Sequence, residues 1–543
     1  MSYIAAEPLE AIIVGAGFSG LYMLHRLRTA GLSARVFECG SGVGGTWFWN
    51  RYPGARCDIE SLEYSYSFSA ELTREWRWSE RYASQPEILR YLNYVADRFD
   101  LRRDIELNTR VTSAVFDERT NLWTVQTDRH GPASARFCVM ATGCLSVPKA
   151  PECPGIENFG GTCYQTAKWP HEGVDFSGQN VGVIGTGSSG VQSIPIIARQ
   201  AAHLYVFQRT PSFSVPARNT SLPANVIEDW NANGPSYREK ARRSYLGINH
   251  VDPVDRPCFG SSDADRRRAY EERWERGGFS LLGTFNDLLI SREANETAAD
   301  FVRSKIREIV HDPAVADKLS PTQYPIGAKR MCVDTGYYAA FNRENVTLVD
   351  LREAPIQAIT RCGIRTSDCE YHLDSLVFAT GFDAMTGALS RIEIRGRGGV
   401  SLREKWAAGP RTYLGLAVAG FPNLFTVTGP GSPSVLSNMV LSIEQHVEWI
   451  ADCLAAMKSR NISAIEARPE AEMEWVEHVN EVASHTIFPL ANSWYSGANV
   501  PGKPRAFMPY IGGVAAYRQK CDDVAANNYA GFALSPMQAV THI

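Results

Sequence analysis

Two glycine runs in this 543-residue chain have the spacing that lets a backbone wrap an anion. The first, Gly15-Ala16-Gly17-Phe18-Ser19-Gly20, follows the apolar run Ala11-Ile12-Ile13-Val14 and opens a segment with Leu21, Leu24 and Leu27 at helical spacing. The second, Gly185-Thr186-Gly187-Ser188-Ser189-Gly190, follows Val181-Gly182-Val183-Ile184 and opens a helix-like stretch from Val191 to Gln200. Strand, tight turn and helix form the dinucleotide fingerprint. One glycine makes the turn, the next admits a pyrophosphate to the backbone, and the third lets helix and strand pack closely. The pyrophosphate then meets free N–H groups and the positive end of a helix dipole. The two units end differently. Glu38, 18 residues past Gly20, can accept a hydrogen bond from a ribose 2′-hydroxyl and repels a 2′-phosphate, so the first site suits FAD or NAD. Arg209, 19 residues past Gly190, and Thr210 offer a cation and a hydroxyl, which suit a 2′-phosphate, so the second site prefers NADP over NAD.

Other chemistry-bearing residues lie between and beyond these turns. Gly44-Gly45-Thr46-Trp47-Phe48-Trp49-Asn50-Arg51-Tyr52-Pro53-Gly54-Ala55-Arg56-Cys57-Asp58 sets consecutive glycines and large aromatics in a turn-rich stretch. Such a loop folds back into a core or lines a flat ligand, and Arg56 with Asp58 adds a charged pair beside it. Tyr324-Pro325-Ile326-Gly327-Ala328-Lys329-Arg330 is tight and doubly basic. Thr428 to Val435 is rigid, small-residue backbone against which something planar can lie, and Ser493-Trp494-Tyr495 precedes a loop that displays aromatics.

The elements that must hold these residues predict an α/β fold: two Rossmann-like dinucleotide-binding domains with a helical insertion. The expected division is an FAD-binding domain over 1–147 and 382–543, an NADP-binding domain over 148–215 and 324–381, and the insertion over 216–323. Ala-Thr-Gly turns at 141–143 and 379–381, each after an apolar strand, mark departure from the first domain and return to it. Gln85 to Phe99 carries Ile88, Leu89, Tyr91, Leu92 and Val95 on one stripe and predicts a core helix. Val111 to Val125 predicts two strands around Asp117 to Asn121, and Val346 to Val349 another. Tyr64, Tyr66 and Phe68 alternate as in a strand. Phe159 to Pro170 is polar and turn-rich and reads as a linker. In the insertion, Phe301, Val302, Ile306, Ile309 and Val310 share a helical face, while the charge runs read as solvated faces. Ile443, Val447, Ile450, Leu454 and Met457 follow a helix period.

The bulk numbers exclude several classes. A net charge of −4 does not predict nucleic-acid or anionic-membrane binding as the main function. No run of eighteen apolar residues exists, and Met1 to Glu10 lacks the apolar core of a secretory signal. The twelve cysteines show no C-x-x-C pair and no zinc spacing, so reduced thiols in a cytoplasmic protein without a metal site are expected.

Taken together, these residues resemble the FAD-dependent, single-chain (type I) Baeyer–Villiger monooxygenases, over nearly the whole chain and nearest to the phenylacetone and steroid monooxygenase branch. The family signature F-x-G-x-x-x-H-x-x-x-W-P appears as Phe159, Gly161, Trp169 and Pro170. The motif G-x-W-x-x-x-x-Y-P-G-x-x-x-D is complete in Gly45, Trp47, Tyr52, Pro53, Gly54 and Asp58. Gly327 to Arg330 matches the loop that carries the family's active-site arginine, and Gly429 to Met439 resembles the loop beside the flavin. One departure stands out: Gln165 replaces the signature histidine. It can hydrogen-bond but cannot carry a proton charge, which bears on rate and oxidase leakage more than on reaction class.

The resemblance implies NADPH- and O2-dependent conversion of ketones to esters or lactones through a flavin C4a-peroxide. Arg330 would stabilise the negative charge beside the ring, with Asp58 orienting it. It implies FAD contacts from Gly15, Gly17, Phe18, Ser19, Gly20, Glu38, Thr46, Trp47, Phe48, Trp49, Asp58, Tyr64, Val111 and Met439. It implies NADP contacts from Arg56, Cys57, Asp58, Thr186, Gly187, Ser188, Ser189, Gly190, Val191, Gln192, Arg209, Thr210, Lys329, Arg330 and Trp494. Lys329 and Arg209 would clamp the 2′-phosphate, and Trp494 would lie near the cofactor's ribose. Ser434, Val435, Leu436, Cys144 and the insertion would shape the ketone pocket. No nucleic acid, membrane or obligate protein partner is expected. Two other readings stay open: an N- or S-oxidising flavin monooxygenase, and a non-enzymatic NADP-binding redox sensor. A disulfide reductase needs a cysteine pair near the first helix, and Cys39 and Cys57 lack that spacing.

Overall fold

β1 (Leu9–Val14) shows why the chain must build around it. Ala11 and Ile13 enter one core, with α1 (Phe18–Thr29), while Ile12 and Val14 enter another on the opposite face. A strand buried on both faces needs covering layers on both sides. A computed structural model describes residues 7–249, 251 and 253–537; the Met1–Ala6 part of the N-terminal stretch lies outside the described residues.

The chain continues into β2 (Ala34–Phe37), the short α2 (Thr46–Trp49) and α3 (Gln85–Arg98), then β3 (Ile105–Glu106), β4 (Val111–Asp117), β5 (Leu122–Thr127) and β6 (Ala133–Met140). After β7 (Thr162–Gln165) come β8 (Asn180–Ile184), α4 (Ser188–Gln200), β9 (His203–Gln208) and β10 (Ser214–Pro216). Helices α5 (Ala224–Arg242), α6 (Asp263–Arg276), α7 (Arg292–Ile309) and α8 (Pro313–Leu319) make the helical segment. β11 (Cys332–Asp334) pairs in parallel with β10 and closes its base. β12 (Val346–Asp350), the antiparallel β13 (Ile356–Ile359), β14 (Gly363–Thr366) and β15 (Glu370–His372), and β16 (Ser375–Phe378) follow. β17 (Glu393–Arg395), β18 (Leu424–Thr426) and α9 (Met439–Ser459) return to the first sheet.

That first sheet runs β17-β4-β5-β6-β1-β2-β3, with β18 also paired to β6. The second runs β12-β9-β8-β16-β7 and is parallel throughout. Its strands alternate as β1 does: Val183 and Val377 face the core that α4 covers, while Ile184, Leu376 and Phe378 face the β13–β15 side. Full burial of each such side chain stabilises by about 1.5–3 kcal/mol.

Two expectations are corrected. Tyr64, Tyr66 and Phe68 do not form a strand. Their segment is a series of turns whose backbone bonds to side chains: Tyr66 N donates to Tyr91 Oη at 3.0 Å, and Tyr66 Oη donates to the Phe18 carbonyl at 2.6 Å. The alternation places rings rather than a ladder, with Tyr66 5.1 Å from both Phe18 and Phe68. Phe159 to Pro170 is more than a linker, because it contains β7, the edge strand paired in parallel with β16. An edge strand has one neighbour and an exposed face, so its polarity concealed it.

Candidate active site

A cleft of about 1890 Å³ runs from the first glycine turn to the second. On the first side it is lined by Gly15, Gly17, Phe18, Ser19, Glu38, Thr46, Trp47, Trp49, Tyr64, Val111 and Met439. On the second it is lined by Thr186, Gly187, Ser188, Ser189, Gln192, Arg209 and Thr210. Arg56, Cys57, Asp58, Lys329, Arg330 and Trp494 stand between them. Six of the sequence-derived residues do not line it; of the expected ketone-pocket residues Cys144 and Val435 do, while Ser434 is fully buried behind them and Leu436 is also outside the lining. A Cβ on Gly20 would lie 1.8 Å from the Gly15 carbonyl oxygen, and one on Gly190 would lie 2.1 Å from that of Gly185, so both serve close packing. The Phe48 ring fills the space beside Gly40 and Gly42, and Val191 is fully buried in the core.

The turns have the geometry a pyrophosphate requires. Gly15 and Gly185 adopt φ of +106° and +110°, which an L side chain rarely tolerates. A Cβ on Gly187 would meet no heavy atom within 4 Å, so the backbone there faces open cleft. Glu38 is 4 % exposed, and its carboxylate accepts from the backbone N–H of Ala16 and of Gly40, both at 2.7 Å. It is therefore fixed at the end of β2. At the matching place past β9, Arg209 and Lys329 approach each other. Burial lowers the Lys329 pKa, and the Arg209 charge lowers it further. Lys329 Nζ sits 4.5 Å above the Tyr324 ring, and neither cation has a carboxylate partner among the described residues. A bound anion relieves such a like-charge pair.

Arg330 forms the centre. Its Nε donates to Asp58 Oδ2 at 2.9 Å and its Nη2 to Oδ1 and Oδ2 at 2.7 and 2.8 Å. Its Nη1 donates to the Val435 carbonyl at 2.5 Å, and the guanidinium lies 5.0 Å from the Phe279 ring centre. Burial pulls its pKa down, but Asp58, with Tyr495 and Cys57, outweighs this, so the guanidinium is held above its ordinary value. The result is a permanent, two-point-anchored cation. The expected Arg56–Asp58 pair does not form. Arg56 instead pairs with Glu80 at 2.8 Å, which frees Asp58 for Arg330.

The loop around Tyr52 reaches the second side. Tyr52 Oη donates to Gln192 Oε1 at 2.9 Å, and Gln192 Nε2 donates to the Arg56 carbonyl at 3.1 Å. Gly54, with φ +81°, packs so closely on α4 that a Cβ would lie 2.4 Å from the Gln192 carbonyl oxygen. Gln165, at the end of β7, donates to the Lys149 carbonyl at 2.7 Å. Sequence reading did not find Phe279 or the Val435 carbonyl as partners of Arg330. Phe279 sits in the helical segment, and a carbonyl carries no residue-type signal; Tyr495, beside Trp494, was the nearest to being legible.

Two glycine turns of the nucleotide-binding type, one on a mixed sheet and one on a parallel sheet, open onto a single cationic cleft and define a two-dinucleotide oxidoreductase. In agreement, the family described as pyridine nucleotide-disulphide oxidoreductase matches residues 12–231. A Baeyer–Villiger monooxygenase from Pseudooceanicola batsensis is 44 % identical over 524 residues, 96 % of this chain and 95 % of that protein. A phenazine N-monooxygenase from Lysobacter antibioticus is 43 % identical over 529 residues, 97 % of each. The solved structure of an oxidised steroid monooxygenase bound to NADP is 53 % identical and superposes with a TM-score of 0.94, covering 98 % of this chain and 100 % of that one. The chain belongs to the Baeyer–Villiger monooxygenase family.

Proposed function

We propose that this chain holds FAD at the Glu38 side of the cleft and NADPH at the Arg209–Lys329 side, and uses O2 to convert ketones to esters or lactones. The proposed division is an FAD-binding domain over 1–147 and 382–543, an NADP-binding domain over 148–215 and 324–381, and the helical insertion over 216–323. The residues present fit both groups: a buried carboxylate at one rim, two cations without a carboxylate partner among the described residues at the other, a glycine turn at each, and open backbone at Gly187. When bound, the flavin supplies hydride acceptance and oxygen transfer. The chain's own residues supply geometry and charge. Arg330 presents fixed positive charge where negative charge develops, and Asp58 holds its orientation with two oxygens. Arg209 and Lys329 select a 2′-phosphate, and Trp494 lines the same cleft. The twelve free cysteines support a cytoplasmic setting, and no helix among the described residues is long and apolar enough to cross a membrane.

The observation that carries this reading is the Arg330–Asp58 pair, joined by three hydrogen bonds between the two sides of the cleft. Arg330→Ala removes the only residue here assigned to charge stabilisation, so ester formation should fall by about 100-fold or more while NADPH still reduces the flavin. Rapid-reaction absorbance gives the reduction rate and product analysis the ester yield. Full ester formation in the variant removes the assignment.

A second reading is favoured by one finding, the phenazine N-monooxygenase relative of nearly equal identity. Oxidation at nitrogen or sulfur calls for an electrophilic oxidant rather than an anionic one. Offering the enzyme a ketone, a sulfide and an aromatic nitrogen heterocycle side by side decides between them. Ketone turnover that depends on Arg330 supports the first reading.

A further inference from the structure

We propose that Cys144 is a positioning residue for Arg330: its thiol holds the Thr428–Val435 turn in the shape that presents the Val435 carbonyl to the guanidinium. The proposal rests on the reading of Arg330 given above. Cys144 follows the turn after β6, is 7 % exposed and lines the cleft. Its Sγ lies 3.3 Å from the Thr428 carbonyl oxygen and 3.0 Å from the Ser434 hydroxyl. The Ser434 hydroxyl also lies 3.2 Å from the Thr428 carbonyl oxygen and 3.8 Å from Met385 Sδ, which closes a triangle of polar atoms in which two protons are shared among three contacts. The Cys144 carbonyl accepts from Met385 N at 2.8 Å, so this one residue joins three distant segments.

The region it joins is strained. Met385, Thr428 and Ser434 have φ of +66°, +55° and +43°. Non-glycine residues stay in this left-handed region only where contacts over-determine them. The contacts here are Thr428 N on His446 Nδ1 at 2.9 Å and the Cys144–Ser434–Thr428 triangle. Val435 comes next in the chain, and its carbonyl accepts from Arg330 Nη1 at 2.5 Å. Removing the thiol leaves Ser434 with a weaker hold, and the turn relaxes toward ordinary φ. Arg330 then keeps Asp58 but loses the contact that fixes the other end of its guanidinium plane.

Cys144→Ala and Cys144→Ser, in the full-length FAD-loaded protein, test this. Serine keeps a donor at the same place, and alanine does not. The first readout is hydrogen–deuterium exchange of peptides covering 428–438, without ketone or NADPH. The Leu436 and Ser437 amides bond to the Pro433 and Ser434 carbonyls, so they report the turn directly. C144A should speed their exchange by about tenfold and C144S by no more than about twofold. The second readout is the rate of hydrogen peroxide release with NADPH and no ketone, which should rise in C144A and recover in C144S. Unchanged exchange in C144A, or C144S behaving as C144A does, overturns the proposal. So does an effect confined to the KM for ketone, since that makes Cys144 a wall of the pocket and nothing more. The exchange result does not depend on turnover, so it decides the role of Cys144 even if the Arg330→Ala test removes the reading beneath it.

Discussion

At the scale of single residues, the site is built from groups whose charge state is decided by what buries them. Arg330 stays charged because Asp58 outweighs its desolvation. His446 shows the opposite outcome. It is fully buried on α9, and burial, helped by the Arg518 charge, lowers its pKa to about 3. It therefore sits neutral behind the Thr428–Val435 turn that contacts Arg330, with Nδ1 accepting from Thr428 N. The unfolded chain binds a proton on this imidazole below about pH 6.5, and the folded chain refuses it down to about pH 3. Its contribution to stability is thus complete above the unfolded value and is lost as pH falls, at about 1.4 kcal/mol per unit. His446→Asn keeps an acceptor near Thr428 N without the titration. Urea midpoints at pH 7 and pH 5 should fall less for this variant than for the parent protein. Equal falls in the two proteins would show that His446 contributes nothing to the acid limb. Glu38 and Arg209 were legible in the sequence because their types and offsets carry chemistry, whereas Arg330 and its pairing with Asp58 were reached only through the family resemblance, since residue types alone paired Asp58 with Arg56. His446, Ser434 and Cys144 were not legible as supports, because their roles lie in backbone carbonyls and positive φ values that side-chain identity does not announce.

At the scale of elements, β1–α1–β2 and β8–α4–β9 were legible because local spacing alone specifies strand, turn and helix. β7 was not, because an edge strand with an exposed polar face looks like a linker in one dimension. The loop from Gly44 to Asp58 falls between these cases. Its glycines and aromatics predict a loop that folds back into a core or lines a flat ligand, and the fold shows that Gly44 and Gly45 pack on Leu89 of α3 and on Gly17 while Gly54 packs on α4. Gly54 has φ +81° and lies under the Gln192 carbonyl, and Tyr52 adds a hydrogen bond of 2.9 Å to the same residue. This loop therefore carries Asp58 on one end while its middle grips the helix of the second glycine turn. Gly54→Ala places a methyl group against backbone in a disfavoured conformation, at a cost of about 1–3 kcal/mol, whereas Tyr52→Phe loses one hydrogen bond worth about 1 kcal/mol. Both should slow NADPH-driven flavin reduction in that order, with Gly54→Ala also lowering the melting temperature by several degrees. Stopped-flow absorbance and thermal unfolding measure the two effects. Wild-type reduction in Gly54→Ala would separate the grip on α4 from hydride transfer.

At the scale of the whole molecule, two chain crossings join the sheets, one leaving after Met140 and one returning before Glu393. They are fastened together. Lys149 N donates to the Gly381 carbonyl at 2.9 Å, and the Lys149 carbonyl accepts from Gln165 Nε2 at 2.7 Å and from Thr380 Oγ1 at 3.3 Å. Gln165 is thus the side chain by which the edge strand of the second sheet holds the outgoing crossing. The loop after Trp494 fastens the returning one: Lys503 Nζ reaches Asp383 Oδ1 at 2.6 Å and the Ala384 carbonyl at 2.8 Å, and Asn499 Nδ2 donates to the Phe382 carbonyl at 2.7 Å. A change of angle between the two nucleotide pockets must strain these bonds as well as the Tyr52–Gln192 and Arg330–Asp58 links, because the crossings are the covalent connections between the sheets. A neutral amide at residue 165 holds its carbonyl equally well at every pH, where an imidazole would add a titration in the physiological range. Gln165→Ala should therefore leave folding nearly unchanged, with a loss of about 1 kcal/mol, yet lower the ester formed per NADPH oxidised. Gln165→His should restore that coupling, and only this variant should show a coupling that depends on pH between about 5.5 and 7.5. Measuring ester and hydrogen peroxide together across that range tests both claims. A Gln165→Ala enzyme as well coupled as its parent would show that the crossing is held firmly enough by Thr380 and Gly381 alone.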